Sequence, residues 1–329
     1  MSTDPKTETT HGPLAQMRRS IARVSPLDFG IVGVFVAMFI TLSIASPVFA
    51  SKRNLLNLLE SAAPIGIIAA AGTLVMIAGG FDLSVGAIFA LAGIVAAHGT
   101  NQFGPVVGLL LGILTGAAIG LINGLLSTIG QISPFITTLA MQIVVRGICL
   151  AVTGGYIVSI SSNSFRQIGL GSVGGVKISI LVFAGFCILM GWLLSTTVFG
   201  RHVFAAGGNP EAARLAGISV HRVRTTTFVL SAMAAAIAGI IITARSGNGQ
   251  ANYGAGVELT AIAGIVVGGT SIFGGEGAVW RTVFGVLFLS LIDNGFTLLA
   301  VPATYQQIVQ GSIIILAVGF DYWIRRNRK

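Results

Sequence analysis

Ten apolar runs, each bounded by polar residues or by clusters of glycine and proline, divide this chain at 29–49, 62–79, 83–98, 105–128, 134–153, 178–196, 222–243, 258–272, 279–299 and 303–323. A helix needs about 20 apolar residues to cross the hydrocarbon core of a bilayer, so most of these runs read as membrane-spanning helices. The third and eighth are short for a full crossing and are expected to be tilted, broken or re-entrant. Residues 1–28 are polar and read as a disordered tail with no leader ahead of the first span. Residues 29–323 form the transmembrane domain, and 324–329 a short basic tail.

The one long polar interruption is Phe199 to Arg224, FGRHVFAAGGNPEAARLAGISVHRVR. It predicts a helix of about two turns, Pro210 to Ala216. Asn209 suits the N-cap, Pro210 the first helical position, Glu211 the positive end of the helix dipole, and Gly217 a left-handed stop. Arg201, Arg214, Arg222 and Arg224 with His202 and His221 make the stretch basic. Two readings are open: a loop re-folded onto lipid headgroups, or a capped helix that another protein grips.

Composition turns the pattern into a class. Hydrophobic residues make up 54% and charged residues 9%, with mean hydropathy +0.91, a balance that excludes a water-soluble domain of this length. The 45 glycines fit close helix packing in a membrane. Cys149 and Cys187 lie inside apolar runs and read as small core residues. The net charge of +9 raises the question of nucleic acid, but its distribution answers it. With an even number of spans, the two tails, the central loop and Arg281 share one side and hold 13 of the 19 lysines and arginines. The opposite side holds Lys52, Arg53, Arg166, Lys177 and Arg245, so both termini are expected in the cytoplasm and no nucleic-acid partner is expected.

An internal repeat is also expected. Ala90 to Val95 (ALAGIV) returns 171 residues later as Ala261 to Val266 (AIAGIV), and the same offset carries Asn123-Gly124 onto Asn294-Gly295. Five spans separate the copies, which would make the repeat inverted, with a pathway between its halves.

No catalytic constellation, metal-ligand spacing or phosphate-binding Gly-Lys-Ser/Thr pattern is present, so if ATP drives this protein another chain binds it. The informative polar residues are those within spans, where an unpaired charge costs about 2.5–3.5 kcal/mol. Asp82 stands between the second and third spans as a cap for the third or as a gate in the pathway. Arg146, 12 residues beyond Pro134, lies about 18 Å into its span. It either snorkels to the external headgroups or faces a partner carboxylate such as Asp293, or a wet cavity. Asn123 and Asn294 join helices or touch solute. Thr138 and Gln142 complete the pathway candidates, with Thr137, Gln306 and Gln310 as weaker ones.

Three motifs carry a resemblance: Gly207 to Ile218 (GGNPEAARLAGI), Gly79 to Gly86 (GGFDLSVG), and Ser133 to Gly155 (SPFITTLA through Arg146 to LAVTGG). Together, over residues 29 to 325, they resemble the ribose-type sugar permeases of bacterial ATP-binding cassette (ABC) importers. The resemblance implies an all-α polytopic membrane protein of about ten transmembrane helices with the type II ABC importer fold, in the bacterial inner membrane. It implies a loop, Gly208, Asn209, Pro210, Glu211, Ala212, Ala213, Arg214, Leu215, Ala216 and Gly217, that couples to cytoplasmic ABC ATPase subunits. It further implies an extracytoplasmic solute-binding protein, a second permease copy, surrounding membrane lipid, and ATP bound on the partner subunit with no cofactor on this chain. Ribose-like pentoses or hexoses are the expected solutes; polyols, nucleosides, a furanoside autoinducer and branched-chain amino acids stay open. An ion-coupled secondary transporter is the alternative of a different class, favoured by the repeat and the intramembrane charges.

Overall fold

The computed structural model describes residues 26–302 together with 304–306, 308, 309, 311–313, 315, 316 and 319. Most of the tail at 1–28, the tail at 324–329, and Gln310 lie outside the described residues. The described chain is helical: α1 Pro26–Ala45, α2 Lys52–Ile77, α3 Val85–Phe103, α4 Pro105–Thr128, α5 Pro134–Thr153, α6 Asn163–Leu170, α7 Ile178–Thr196, α8 Val198–Gly208, α9 Pro210–Leu215, α10 Val220–Ser246, α11 Val257–Val267 and α12 Val279–Leu298. Four two-residue strands, β1 Val158–Ser159, β2 Ser172–Val173, β3 Val176–Lys177 and β4 Asn248–Gly249, pair as β1 with β4 and β2 with β3. Among the described residues six helices, α2, α4, α5, α7, α10 and α12, are long and apolar enough to cross a membrane. The chain is an all-α polytopic membrane protein.

Several ends follow from single residues. Pro105 and Pro134 open α4 and α5 at the first helical position, where a missing N–H costs nothing. Helix α2 starts ten residues before its apolar run because Ser51 accepts from the Asn54 amide (3.3 Å) and carries Lys52 and Arg53 into the helix. Thr197 caps α8 in the same way through the Gly200 amide (3.1 Å), so the segment expected as loop up to Asn209 is helical instead. Helix α1 begins at Pro26, inside the stretch expected as tail.

Burial sorts the helices. The apolar windows of α2 and α10 are 78% and 72% buried, against 28%, 22% and 28% for α4, α5 and α7. The first two are therefore central. The others turn large apolar side chains such as Leu114, Ile143 and Ile188 outward, as a lipid-facing surface requires. Helix α4 approaches its neighbours through glycine at every fourth position, Gly108, Gly112, Gly116, Gly120 and Gly124. A methyl group at Gly116 would stand 2.7 Å from Ala236 Cβ on α10, and one at Gly112 would stand 2.8 Å from the Ala92 carbonyl on α3. Contact between small residues lets dispersion forces hold helices together where lipid removes any hydrophobic drive.

The helix bundle has two distinct ends. At one, the β1–β4 pair (Val158 opposite Gly249) and the Asn101 side chain, which donates to the Ser159 carbonyl (2.8 Å), tie α3, α10 and the segment before α6 together. At the other, the C-terminus of α2, helices α8 and α9, and the segment between α11 and α12 meet.

Candidate functional site

The capped helix forms as the sequence predicts, one residue shorter. Asn209, extended at φ −152° and ψ 95°, accepts from the Ala212 amide (3.0 Å) through its side chain, and Pro210 occupies the first helical position. At the far end the Gly217 amide donates to Arg214 (2.9 Å) and the Ile218 amide to Ala213 (2.9 Å). With Gly217 at φ +81°, this is a Schellman ending, Ala216 being the C-cap. The Glu211–Arg214 ion pair (2.7 Å) lies one turn apart on a solvent-facing surface, so it contributes only about 0.2–0.5 kcal/mol. Exposure divides the coupling candidates: Ala213 is 4% exposed, while Leu215 is 91% exposed. Gly208, Asn209, Glu211, Ala212, Arg214, Ala216 and Gly217 are also exposed, and Pro210 is half-buried. Ala213 therefore anchors the helix rather than presenting itself.

Beneath this helix the backbone is joined at a single knot. Arg224, the second turn of α10, donates to the Ala78 carbonyl at the end of α2 (2.9 Å) and to the Ala206 carbonyl on α8 (3.3 Å). The Gly275 amide donates to the Ile77 carbonyl (2.8 Å), bringing in the segment before α12. A side chain at Gly207 would overlap the Ile77 carbonyl and stand 2.8 Å from the Gly275 nitrogen, so only glycine lets α8 lie there. The sequence had Arg224 as one more positive charge at a membrane edge; instead it turns inward and links three elements.

From the knot the chain runs directly into the Gly-Gly-Phe-Asp motif. Asp82 is 7% exposed, and its Oδ1 accepts from the Ser84 amide (3.1 Å) and hydroxyl (2.6 Å). Ser84, not Asp82, occupies the N-cap position of α3, so the expected capping role passes to an Asx turn two residues earlier. Asn123, fully buried on α4, donates to the Ser84 hydroxyl (2.8 Å). Thr138 on α5 donates to the Phe81 carbonyl (3.2 Å) and to Pro134 (2.9 Å). Three of the pathway candidates thus converge on residues 81–84.

The next two candidates hold an irregular stretch on the other side. Gln142 donates to Glu258 Oε1 (2.8 Å) at the start of α11. Arg146 donates to the carbonyls of Ala251 and Tyr253, the latter at 2.9 Å. Its charge goes to main-chain dipoles, a further possibility beside headgroups, Asp293 and a wet cavity. With 11 residues α11 is too short to cross alone. Main-chain carbonyls left outside a helix need donors when they are buried, and Arg146 provides them for Ala251 and Tyr253. Asn294 stands apart: it exchanges two hydrogen bonds with Asn54 (2.9 and 3.0 Å), joining α12 to α2.

Glu258 escaped the sequence reading because it sits on the first residue of an apolar run, where a carboxylate reads as a boundary. The structure buries it to 7% exposure against Gly86, whose missing side chain makes room for the carboxylate.

Residues 54–318 match the family described as branched-chain amino acid transport system / permease component. The chain belongs to this permease family. The permease is 40% identical over 302 residues to the L-arabinose ABC transporter permease protein AraH of Azospirillum brasilense, covering 91% of this chain and 89% of that one. It is 40% identical over 293 residues to the ribose import permease protein RbsC of Bacillus subtilis (88% and 91% covered), and 37% identical over 294 residues to that of Escherichia coli K12 (88% and 90% covered). No solved structure matches the permease. Membership makes it a membrane translocation component rather than an enzyme.

Proposed function

We propose that this permease is the membrane subunit of an ABC importer for a sugar, a pentose of the ribose or arabinose kind. The names of its relatives support the solute class. The geometry supports the drive: a six-residue helix capped at both ends, offering Leu215 outward and following directly on α8, which Arg224 ties to the end of α2. That single connection carries the reading, because a displacement applied at α9 reaches the break at Gly79–Ser84 through packed backbone rather than through a flexible loop.

In this account cytoplasmic ATPase subunits bind ATP, grip α9 on each of two permease copies and reorient their halves. An extracytoplasmic binding protein delivers the sugar. The ten-span count, the type II arrangement, the inverted relation of the second to fifth spans (62–153) to the seventh to tenth (222–323) and the cytoplasmic placement of both termini belong to the same proposal. They are supported by the apolar runs, the 171-residue offset and the arginine distribution. Purified transporter, reconstituted with its ATPase and binding protein, is expected to accumulate labelled D-ribose or L-arabinose only when ATP is supplied. Accumulation driven by a proton or sodium gradient without ATP would overturn the reading.

A further inference from the structure

A narrow cleft opens among α2, α3, α10 and α11, lined by apolar side chains such as Ile68, Met76 and Ile265. Three polar side chains also line it, each from a different element: Asp82 from the α2–α3 junction, Ser231 from α10 and Glu258 from the first turn of α11. All three are more than nine-tenths buried, at 7%, 0% and 7% exposure. Each keeps one atom, Asp82 Oδ2, Ser231 Oγ and Glu258 Oε2, without a hydrogen-bond partner among the described residues. The Ser231 hydroxyl approaches Asp82 without closing a bond of ordinary geometry.

A buried polar atom left unpaired loses its hydration and gains nothing in return, so two carboxylate oxygens and a hydroxyl lining one cleft favour an occupant rich in hydroxyl groups. The other oxygen of each carboxylate is already engaged, by Ser84 for Asp82 and by Gln142 for Glu258, which fixes the direction in which the free oxygen points. A neutral molecule carrying several hydroxyls donates to both carboxylates and to Ser231 while its C–H faces lie on the apolar walls.

We propose that this cleft is a solute-contact site of the permease, in which Asp82, Ser231 and Glu258 accept hydroxyl groups of the passing solute and Gln142 positions Glu258. The assignment rests on the reading of the chain as a sugar importer. It gives Asp82 a direct role in the pathway and adds two residues that the motifs do not mark.

The test uses the complete transporter in vesicles and measures two rates: D-ribose moved and ATP hydrolysed. If the wild type moves no ribose or arabinose, the pentose reading fails at that point, before any variant is made. With ribose transport in hand, Glu258→Gln and Asp82→Asn are expected to lower the sugar moved per ATP about tenfold or more, the loss of a hydrogen bond to a charged acceptor. Ser231→Ala, which removes a neutral group and leaves the wall intact, is expected to give a smaller loss of about two- to fivefold. Equal falls in transport and ATP hydrolysis, or a ratio unchanged in all three variants at normal membrane levels, would overturn the site while leaving the importer reading in place.

Discussion

Gly217→Val is expected to abolish solute uptake while the permease still reaches the membrane in normal amount. Gly217 holds φ +81°, a conformation that costs an L-residue about 1–2 kcal/mol and a β-branched one more. The strain falls where the structure has least in reserve. Helix α9 has only six residues, far below the length at which a helix persists on its own, so its caps and its anchor decide whether it forms. Relaxing residue 217 to negative φ breaks both closing bonds, from Gly217 to Arg214 and from Ile218 to Ala213, and lifts Ile218 from the buried Ala213. Uptake and immunoblotting of the same membranes check the result. Normal uptake in Gly217→Val would remove α9 from the mechanism.

Arg224→Ala is expected to separate ATP hydrolysis from transport. The guanidinium donates to one carbonyl on α8 and one at the end of α2, and each bond from a charged donor contributes about 1.5–3 kcal/mol. The carbonyl of Ala78 lies at a helix C-terminus, where the dipole strengthens the attraction. Without the arginine only the packing of Gly207 on Ile77 holds α8 to the end of α2, so less of a displacement of α8 and α9 reaches residues 78–82. Uptake should fall about tenfold or more while ATP turnover by the assembled transporter stays within about twofold of wild type. Arg224→Lys should not restore uptake, since a single ammonium lacks the planar fork that reaches two carbonyls. Parallel loss of ATP turnover and uptake in both variants would count against a transmitting role.

Much of this architecture is legible in the pattern of apolar residues. The runs at 134–153 and 178–196 coincide with α5 and α7, because Pro134 and the polar Lys177 mark their starts and the bilayer sets their length. Helix α9 was readable from Asn209, Pro210 and Gly217, since capping is local chemistry. Helix α8 was not, because Gly200, Gly207 and Gly208 lower its intrinsic propensity and its stability comes from packing against the end of α2. The polar centre was half readable. Asp82, Asn123, Thr138, Gln142 and Arg146 announce themselves as costly groups in apolar runs, but their partners do not. Arg224 and Glu258 sit at run edges, where the same residue types are ordinary, and Ser231 is a common helix residue; only the fold shows that all three face inward. Asn294 shows the converse, a costly polar group whose hydrogen bonds are satisfied by a neighbouring helix through Asn54.

The central claim is that ATPase subunits act on this permease through α9. Leu215, 91% exposed, is the position to test it, since Ala213 on the opposite face is buried. The decisive measurement is disulfide crosslinking between Leu215→Cys and cysteines introduced over the surface of its partner ATPase, in membranes with and without nucleotide, alongside uptake of labelled ribose. The account predicts a crosslink whose yield changes when ATP is bound, and loss of uptake when the bond is formed. No crosslink at Leu215, together with uptake that continues after ATP is removed, would contradict it.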